Sequence, residues 1–551
     1  MKVALAQIDA TPGDLRGNRE KILSFYRRAR GLGADLAVFP ELSLPGYPPK
    51  DLLEQDDFIR AGLRELKVLA RSAGRVGLVA GYVEPNSSGR GKPFYNAAAL
   101  LHRGKIAARR YKTLIPTYDV FDEGRYFEPA PSNAPILFQG MKLGLSVCED
   151  AWNDGGFWPR PLYGLDPMRA LVKGGAELLI NIAASPYHRG KASLRRRMLA
   201  RHASRNRVPL LYCALVGGND ELVFDGASMA LDARGRLAAR ARSFEEDLVL
   251  WDSAAAVAPV RPEALGGIEE VYLALVLGLR DYARKCGFKK ALVGLSGGID
   301  SALVCALAAD ALGAGQVLGV SMPSMYSSPG SVSDARALAR NLGVHLLSIP
   351  ISRMHLAAKR ALREGLGEGL SAGARAPDIT DQNLQARMRG VVLMGLSNKT
   401  GALLLATGNK SELSVGYCTL YGDMNGGLAL IGDVPKTLVY DLARFVNREG
   451  ERIPRASLEK APSAELKPGQ KDQDDLPSYE ELDDILRGYV EEGLGAKAIA
   501  RRGHAAGLVS SLLDRIDAAE HKRRQAPPVI KITAKAFGPG RRMPIARGKY
   551  R

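Results

Sequence analysis

Cysteine and aromatic residues are scarce: five Cys, three Trp and 6% aromatic residues in a chain of 551. Cys148, Cys213, Cys286, Cys305 and Cys418 are an odd number with no CxxC pair. That speaks against a disulfide framework or a thiolate zinc site and points to a reducing compartment, the cytoplasm. Long hydrophobic runs are also missing. The opening MKVALAQIDA breaks at Gln7 and Asp9, too short for the core of a signal peptide. Val271 to Leu279 is stopped at once by Arg280 and Asp281, well short of the roughly 18 residues of a membrane span. Neither secretion nor a membrane partner is expected. Acidic residues are absent from one region: residues 521–551 carry ten Lys or Arg and no Asp or Glu, more than half of the net charge of +18.

What is present is a globular composition, 46% hydrophobic and 25% charged, with length for about two to four domains. From residue 1 to about 252, β-rich runs (VALAQI, DLAVFPE, VGLVAGYVE, KLGLSVCED) alternate with amphipathic stretches, for example Asn18 to Leu32 and Asp57 to Ala73, an α/β layering. DGASMALDARGRLAARA has the form of a hairpin. Residues 253–267 lack periodicity and predict a linker. From 268 to 551, a helix over Ile268 to Cys286 is followed by KKALVGLSGGIDSALVCALAADAL, strand then glycine loop then helix, with further strands at QVLGVSMP, VHLLSIP and ALLLATG. This predicts a doubly wound parallel sheet. Residues 361–380 and 455–478, rich in Gly, Pro and charge, are expected as mobile loops beside its site. The basic tail is compatible with nucleic acid, a solvated terminus or a small phosphorylated ligand; it lacks interleaved aromatics, which disfavours nucleic acid.

In VGLSGGIDSAL the glycines follow the strand and Asp300 and Ser301 open the helix, so free N–H groups and the helix dipole converge on a point suited to an anion. Neither GxxxxGK[ST] nor GxGxxG is present. The SGGxDS pattern resembles the pyrophosphate loop of ATP pyrophosphatases, which adenylate a substrate oxygen and release pyrophosphate. That resemblance assigns ATP to Gly294, Leu295, Ser296, Gly297, Gly298, Ile299, Asp300 and Ser301. Asp300 suits Mg2+, since such cations are held by one or two carboxylates with phosphate oxygens. TGNKSELSVGYCTLYGD follows the strand ALLLA, placing Thr407, Lys410 and Glu412 at the carboxyl end of the sheet, with Glu412 as the second magnesium carboxylate.

TGNKSE, GYCTLYGD and DVPKT together resemble the synthetase domain of NAD synthetases, from about residue 268 to Lys535. The resemblance implies ATP-dependent adenylation of deamido-NAD and its capture by ammonia. It also implies ATP contacts at Thr407 and Lys436 and dinucleotide contacts at Asn383, Arg387, Glu412 and Lys522. Gln382 stands where an acidic residue would be expected and is left out of the site. Lys522 and neighbours such as Arg523 would then steer the anionic dinucleotide inward.

In the first half, VFPEL with Glu41, RRYKTLIP with Lys112 and LSVCEDAW with Cys148 each stand at a strand end. In this order they resemble the Glu-Lys-Cys triad of the nitrilase superfamily over residues 1–250, implying an α-β-β-α sandwich. Glu41 would be the base, Lys112 the oxyanion stabiliser and Cys148 the nucleophile that forms a thioester. Glu123 is a candidate supporting carboxylate. The two halves joined resemble the glutamine-dependent NAD synthetase family. That implies glutamine contacts at Tyr118, Ser185 and Lys191, an internal route for ammonia, and homo-oligomers built on pairs of synthetase domains. Expected partners are therefore deamido-NAD, ATP and glutamine, without nucleic acid. Two alternatives stay open: an amidotransferase for another substrate, and a tRNA-modifying, RNA-binding enzyme using the same loop.

Overall fold

In the strand Lys2–Gln7, Val3 and Leu5 belong to one core and Ala4 and Ala6 to another, the period-two pattern of a strand covered on both faces. The computed structural model describes residues 1–255, 260, 267–371 and 378–548, so most of the expected linker 253–267 lies outside the described residues. Two compact units result, Met1–Gly267 and Ile268–Arg551. The first holds two six-stranded sheets. One runs, in spatial order, Asp247–Asp252, Lys2–Gln7, Leu36–Val38, Gly77–Pro85, Phe94–His102, Lys105–Tyr111. The other runs Leu237–Arg240, Met229–Leu231, Leu210–Ala214, Leu178–Ala183, Met141–Val147, Ile136–Phe138.

Val3, Leu5, Val38, Val79 and Leu100 of the first sheet share a core with Leu143, Leu145, Val147, Ile180 and Ile182 of the second. On the outside, helices Leu15–Gly31 and Asp56–Ser72 press Ile22, Phe25, Tyr26, Leu66 and Leu69 onto the alternate residues of the first sheet. Helices Pro167–Lys173 and Lys191–Asn206 supply Met168, Leu171, Met198 and Leu199 to the second. The unit is an α-β-β-α sandwich, and Met229–Leu231 with Leu237–Arg240 forms the antiparallel hairpin expected from DGASMALDARGRLAARA.

The second unit is built on five parallel strands in the order His345–Ser348, Val317–Ser321, Ala291–Gly294, Leu403–Ala406, Leu428–Ala429. Chain order reverses between Ala291–Gly294 and Leu403–Ala406. The crevice at their carboxyl ends is therefore the topological switch point at which open α/β sheets bind ligands. Helix Ile379–Thr400 covers Leu292, Leu404 and Val320 with Met388, Val392, Leu393 and Leu396. Helix Ile299–Leu312, buried along most of its length, packs on helices Ile268–Lys285 and Lys436–Val446. A smaller helical cluster joins Tyr479–Leu486 to Ala506–Ala518 through Leu482, Ile485, Leu512 and Leu513.

The expectation of a loop over 361–380 is corrected. Helix Ser352–Ser371 runs into that stretch and Ile379–Thr400 begins within it; residues 372–377 lie outside the described residues. The Ala, Leu, Arg and Glu residues of AAKRALREGLGEGL are strong helix formers and outweigh the roughly 1 kcal/mol that each interior glycine costs. In 455–478, only Arg455–Glu459 and the turn Asp472–Asp474 are helical. Among the described residues no helix is long and apolar enough to cross a membrane.

Candidate active sites

Glu41, Lys112 and Cys148 converge at strand ends in the first unit. Glu41 lies in the turn after Leu36–Val38 and is fully buried. The turn sits so close to strand Gly77–Pro85 that a Cβ on Gly81 would lie 2.2 Å from the Leu42 nitrogen. Only glycine allows that approach. The Lys112 ammonium donates to Glu41 Oε1 at 2.8 Å and to both oxygens of Glu123 at 2.8 Å. Asn96 Nδ2 donates to Glu41 Oε1 at 2.7 Å, the Ala184 N–H to Glu41 Oε2 at 2.7 Å, and the Tyr47 hydroxyl to Glu123 Oε1 at 3.0 Å. Burial favours a neutral Lys112, but the charges of Glu123 and Glu41 prevail and hold it protonated. Burial pushes Glu123 up, against the pull of Lys112.

Cys148 begins the tight turn Cys148–Ala151 directly after strand Met141–Val147 and has φ of 40°. A side chain in the left-handed region is strained, a feature that clusters at functional turns. Burial, then the charge of Glu41, pushes the Cys148 thiol well up, with Lys112 opposing. The thiol therefore keeps its proton until a base takes it, and Glu41 is the carboxylate whose charge acts on it most. Asp150 fixes the turn: its carboxylate accepts from the N–H groups of Thr113 and Leu114, each at 2.9 Å, and of Val147 at 3.1 Å. It thus ties the segment after Lys112 to the nucleophile strand.

Of the expected glutamine contacts, Tyr118 donates to Glu149 at 3.0 Å, Ser185 follows the Ala184 that holds Glu41, and Lys191 opens helix Lys191–Asn206. The Lys191 ammonium donates to the Pro186 carbonyl at 2.7 Å and lies 5.1 Å over the Trp152 ring. Sequence reasoning missed Glu149, a buried carboxylate that also accepts from Tyr163 at 3.1 Å. Burial raises it, with Lys112 foremost and Lys191 among the groups opposing. A second acid beside the nucleophile, in VCED, is the signal that was available.

In the second unit a cavity of about 280 Å³ opens at the switch point. Gly294, Leu295, Ser296, Gly298, Ile299, Asp300, Ser301, Thr407, Glu412 and Lys436 all line it. Gly297 supports it from behind with φ of 82°: a Cβ there would lie 2.4 Å from the Ser331 carbonyl oxygen, and its own carbonyl accepts from Ser457 at 3.1 Å. Lys436 is buried; its ammonium forms an ion pair with Asp300 Oδ2 and lies 3.4 Å from Glu412 Oε1. Asn409 Nδ2 donates to Asp300 Oδ1 at 2.9 Å, and Asn409 Oδ1 caps the Glu412 N–H at 3.0 Å. Burial pushes Glu412 up to about 8, with Lys436 opposing. Two carboxylates aimed at one ammonium fit a hard divalent cation that takes its other ligands from water and phosphate. Among the described residues no three His, Cys, Asp or Glu form a ready-made metal cage.

Asn383, Arg387 and Lys522 do not line this cavity but gather on the loop 416–420 at its edge. Asn383 Oδ1 accepts from Thr419 at 2.9 Å, Arg387 Nε donates to the Leu420 carbonyl at 3.3 Å, and Lys522 donates to the carbonyls of Gly416 and Cys418, each at 2.8 Å. Tyr417 and Thr419 of that loop face the cavity. Arg523 is turned inward, donating to the Leu413 and Ser414 carbonyls at 3.3 and 2.6 Å, which corrects its expected role in steering ligand from the surface. Lys410 likewise points away from the cavity. It is fully buried against Asp433 at 3.0 Å, Glu491 at 2.9 Å and the Thr533 hydroxyl at 2.6 Å. Arg389, Ser463 and Asp423 line the cavity and were not expected.

A strained cysteine with buried Glu and Lys on a four-layer sandwich in one unit, and in the other a glycine loop at a switch point, define an amide hydrolase joined to an adenylating synthetase. Family models agree: carbon-nitrogen hydrolase matches residues 2–261 and NAD synthase residues 271–526. A glutamine-dependent NAD(+) synthetase of Synechocystis sp. is 45% identical, with 99% of this chain and 98% of that protein covered. One of Thermotoga maritima is 42% identical at the same coverage. The structure of a glutamine-dependent NAD+ synthetase from Acinetobacter baumannii, in complex with ADP, aligns with a TM-score of 0.77 at 37% identity, covering 99% of this chain and 98% of that one. The chain belongs to the glutamine-dependent NAD(+) synthetase family.

Proposed function

We propose that this chain makes NAD+ from deamido-NAD, ATP and glutamine, with one centre in each unit. The observation that carries the reading is that one chain holds both the Glu41–Lys112–Cys148 cluster and the Asp300–Glu412–Lys436 cavity. In the first centre Glu41 accepts the Cys148 proton as sulfur attacks the side-chain amide of glutamine, and Lys112 stabilises the oxyanion. Glu41 returns the proton to the departing ammonia. The thioester is then hydrolysed by water, which gives glutamate and restores the thiol. Glu149 with Tyr118 would take the α-ammonium of the substrate, and Lys191 with Ser185 its α-carboxylate.

In the second centre the loop Ser296 to Ser301 holds the pyrophosphate end of ATP, with Thr407 and Lys436 as further contacts. Asp300 and Glu412 would hold Mg2+, which neutralises the polyphosphate when bound. The nicotinate carboxylate of deamido-NAD attacks the α-phosphorus, pyrophosphate leaves, and ammonia displaces AMP from the acyl-adenylate. Ammonium has no lone pair, so ammonia must arrive unprotonated. Asn383, Arg387, Glu412 and Lys522 shape the dinucleotide side. The units are assigned as 1–252 for glutamine and 268–551 for synthesis, joined by 253–267. The reading includes cytoplasmic assemblies built on paired synthetase units, with no nucleic-acid partner; Val391 and Met394, exposed on helix Ile379–Thr400, offer apolar surface for pairing. The test is product analysis with ATP, deamido-NAD and glutamine. AMP and pyrophosphate in step with NAD+ are expected, and ADP with phosphate as stoichiometric products overturns the reading.

A further inference from the structure

Lys436 occupies the point on which the two proposed metal carboxylates converge. Its backbone opens helix Lys436–Val446, where its N–H donates to Ser411 Oγ at 2.8 Å. Its side chain, 2% exposed, carries the ammonium to Asp300 Oδ2, to 3.4 Å from Glu412 Oε1 and to 5.3 Å above the Tyr479 ring. Asn409 grips Asp300 through Nδ2 and caps the turn that carries Glu412 through Oδ1. Two partly desolvated carboxylates so close repel each other, and the ammonium between them is the counter-ion that offsets this repulsion. A divalent cation placed between them without a nucleotide would meet a full positive charge at contact distance. A polyphosphate reverses that balance, because its several negative charges accommodate the ammonium and the cation together.

We propose that Lys436 is a built-in counter-ion that keeps free divalent cations out of the Asp300–Glu412 pair, and yields its place only when a nucleotide polyphosphate arrives to receive its ammonium. Metal and nucleotide then enter together, and neither carboxylate is left unpaired. The inference rests on the reading of this cavity as the ATP site.

The test is Mn2+ titration of the full-length protein by water-proton relaxation, with and without α,β-methylene-ATP and with no other substrate. Wild type should bind Mn2+ at least about tenfold more weakly without the nucleotide than with it, since one unit charge at such range is worth more than that factor even with strong screening. Lys436→Met and Lys436→Gln, which remove the charge, should each bind a single Mn2+ without nucleotide at least about tenfold more tightly than wild type. Adding Asp300→Asn should abolish that gain, and Lys436→Arg should behave as wild type. Equal wild-type affinity with and without nucleotide, or neutral variants that bind no tighter than wild type, overturns the proposal. Lys436→Met and Lys436→Gln are independent probes, so if one fails to fold the other decides. The functional reading fails separately, by ADP release in the product assay.

Discussion

The two centres hold a lysine between two carboxylates, yet they treat it differently. In the first, Lys112 is 1% exposed and bonded at 2.8 Å to Glu41 and Glu123, and the neighbouring hydrogen bonds from Asn96, Ala184 and Tyr47 leave little to rearrange. In the second, Lys436 is equally buried, but its partners Asp300 and Glu412 are 19% and 18% exposed and face a cavity of about 280 Å³. The first arrangement suits a small amide whose chemistry needs fixed charge and no rearrangement. The second suits a large polyanion, for which charges must change partners on binding. Pre-organisation and exchangeability are thus both built from one lysine between two carboxylates, and exposure of the carboxylates separates them.

The largest effect should come from separating the centres outright. Cys148→Ala should lower glutamine-driven NAD+ formation by about a thousandfold or more while ammonia-driven formation stays within about twofold. Asp300→Asn should lower both by a similar factor, measured as NAD+ with each nitrogen donor. If Asp300→Asn spared the ammonia-driven reaction, the second centre would not be where the cavity is. Glu123→Gln sharpens the contrast. It removes one of the two charges on Lys112, and leaving a buried ion short of a partner costs about 3–5 kcal/mol. The thermal transition of the first unit should fall and glutamine-driven turnover drop roughly a hundredfold, with the ammonia-driven rate unchanged. Asp150→Asn should have the smallest effect. Its amide can no longer accept on both sides, so about 1.5–3 kcal/mol of stability per lost charge-assisted bond is at stake, with a modest rise in the KM for glutamine and little change in that for ATP.

The positions of the glycine loop and of the strand-end Glu, Lys and Cys were legible because each depends on local pattern, an apolar strand, a break, then a polar side chain; that the Glu, Lys and Cys belong together came from their order, which resembles a known triad. Glu149 and Asp150 sit beside Cys148 in sequence, but their roles depend on partners Tyr118, Thr113 and Leu114 brought in by other segments. Lys410 follows the carboxyl end of strand Leu403–Ala406 as expected, but its partners were not legible. It lies inside the motif TGNKSE, yet helix geometry turns it away from the Glu412 side and into the protein, where only the tertiary fold supplies Asp433 and Glu491. The partners of the basic tail were hidden for the same reason. Charge counting saw ten cations with no acid among them, whereas Lys522 and Arg523 use carbonyl oxygens of the 413–418 stretch as their partners.

The buried tether of Lys410 bears on the order in which the protein can be made. Its bonds to the Thr533 hydroxyl and the Lys535 carbonyl span 123 and 125 positions of chain. A growing polypeptide presents the turn bearing Glu412 long before it presents the segment that anchors it. The amide-cleaving unit has all its strands by Asp252 and is free to fold while synthesis continues. The second unit instead waits on a late, long-range closure of the kind that slows folding. One half can therefore complete its sheets while the other still lacks the segment that anchors it.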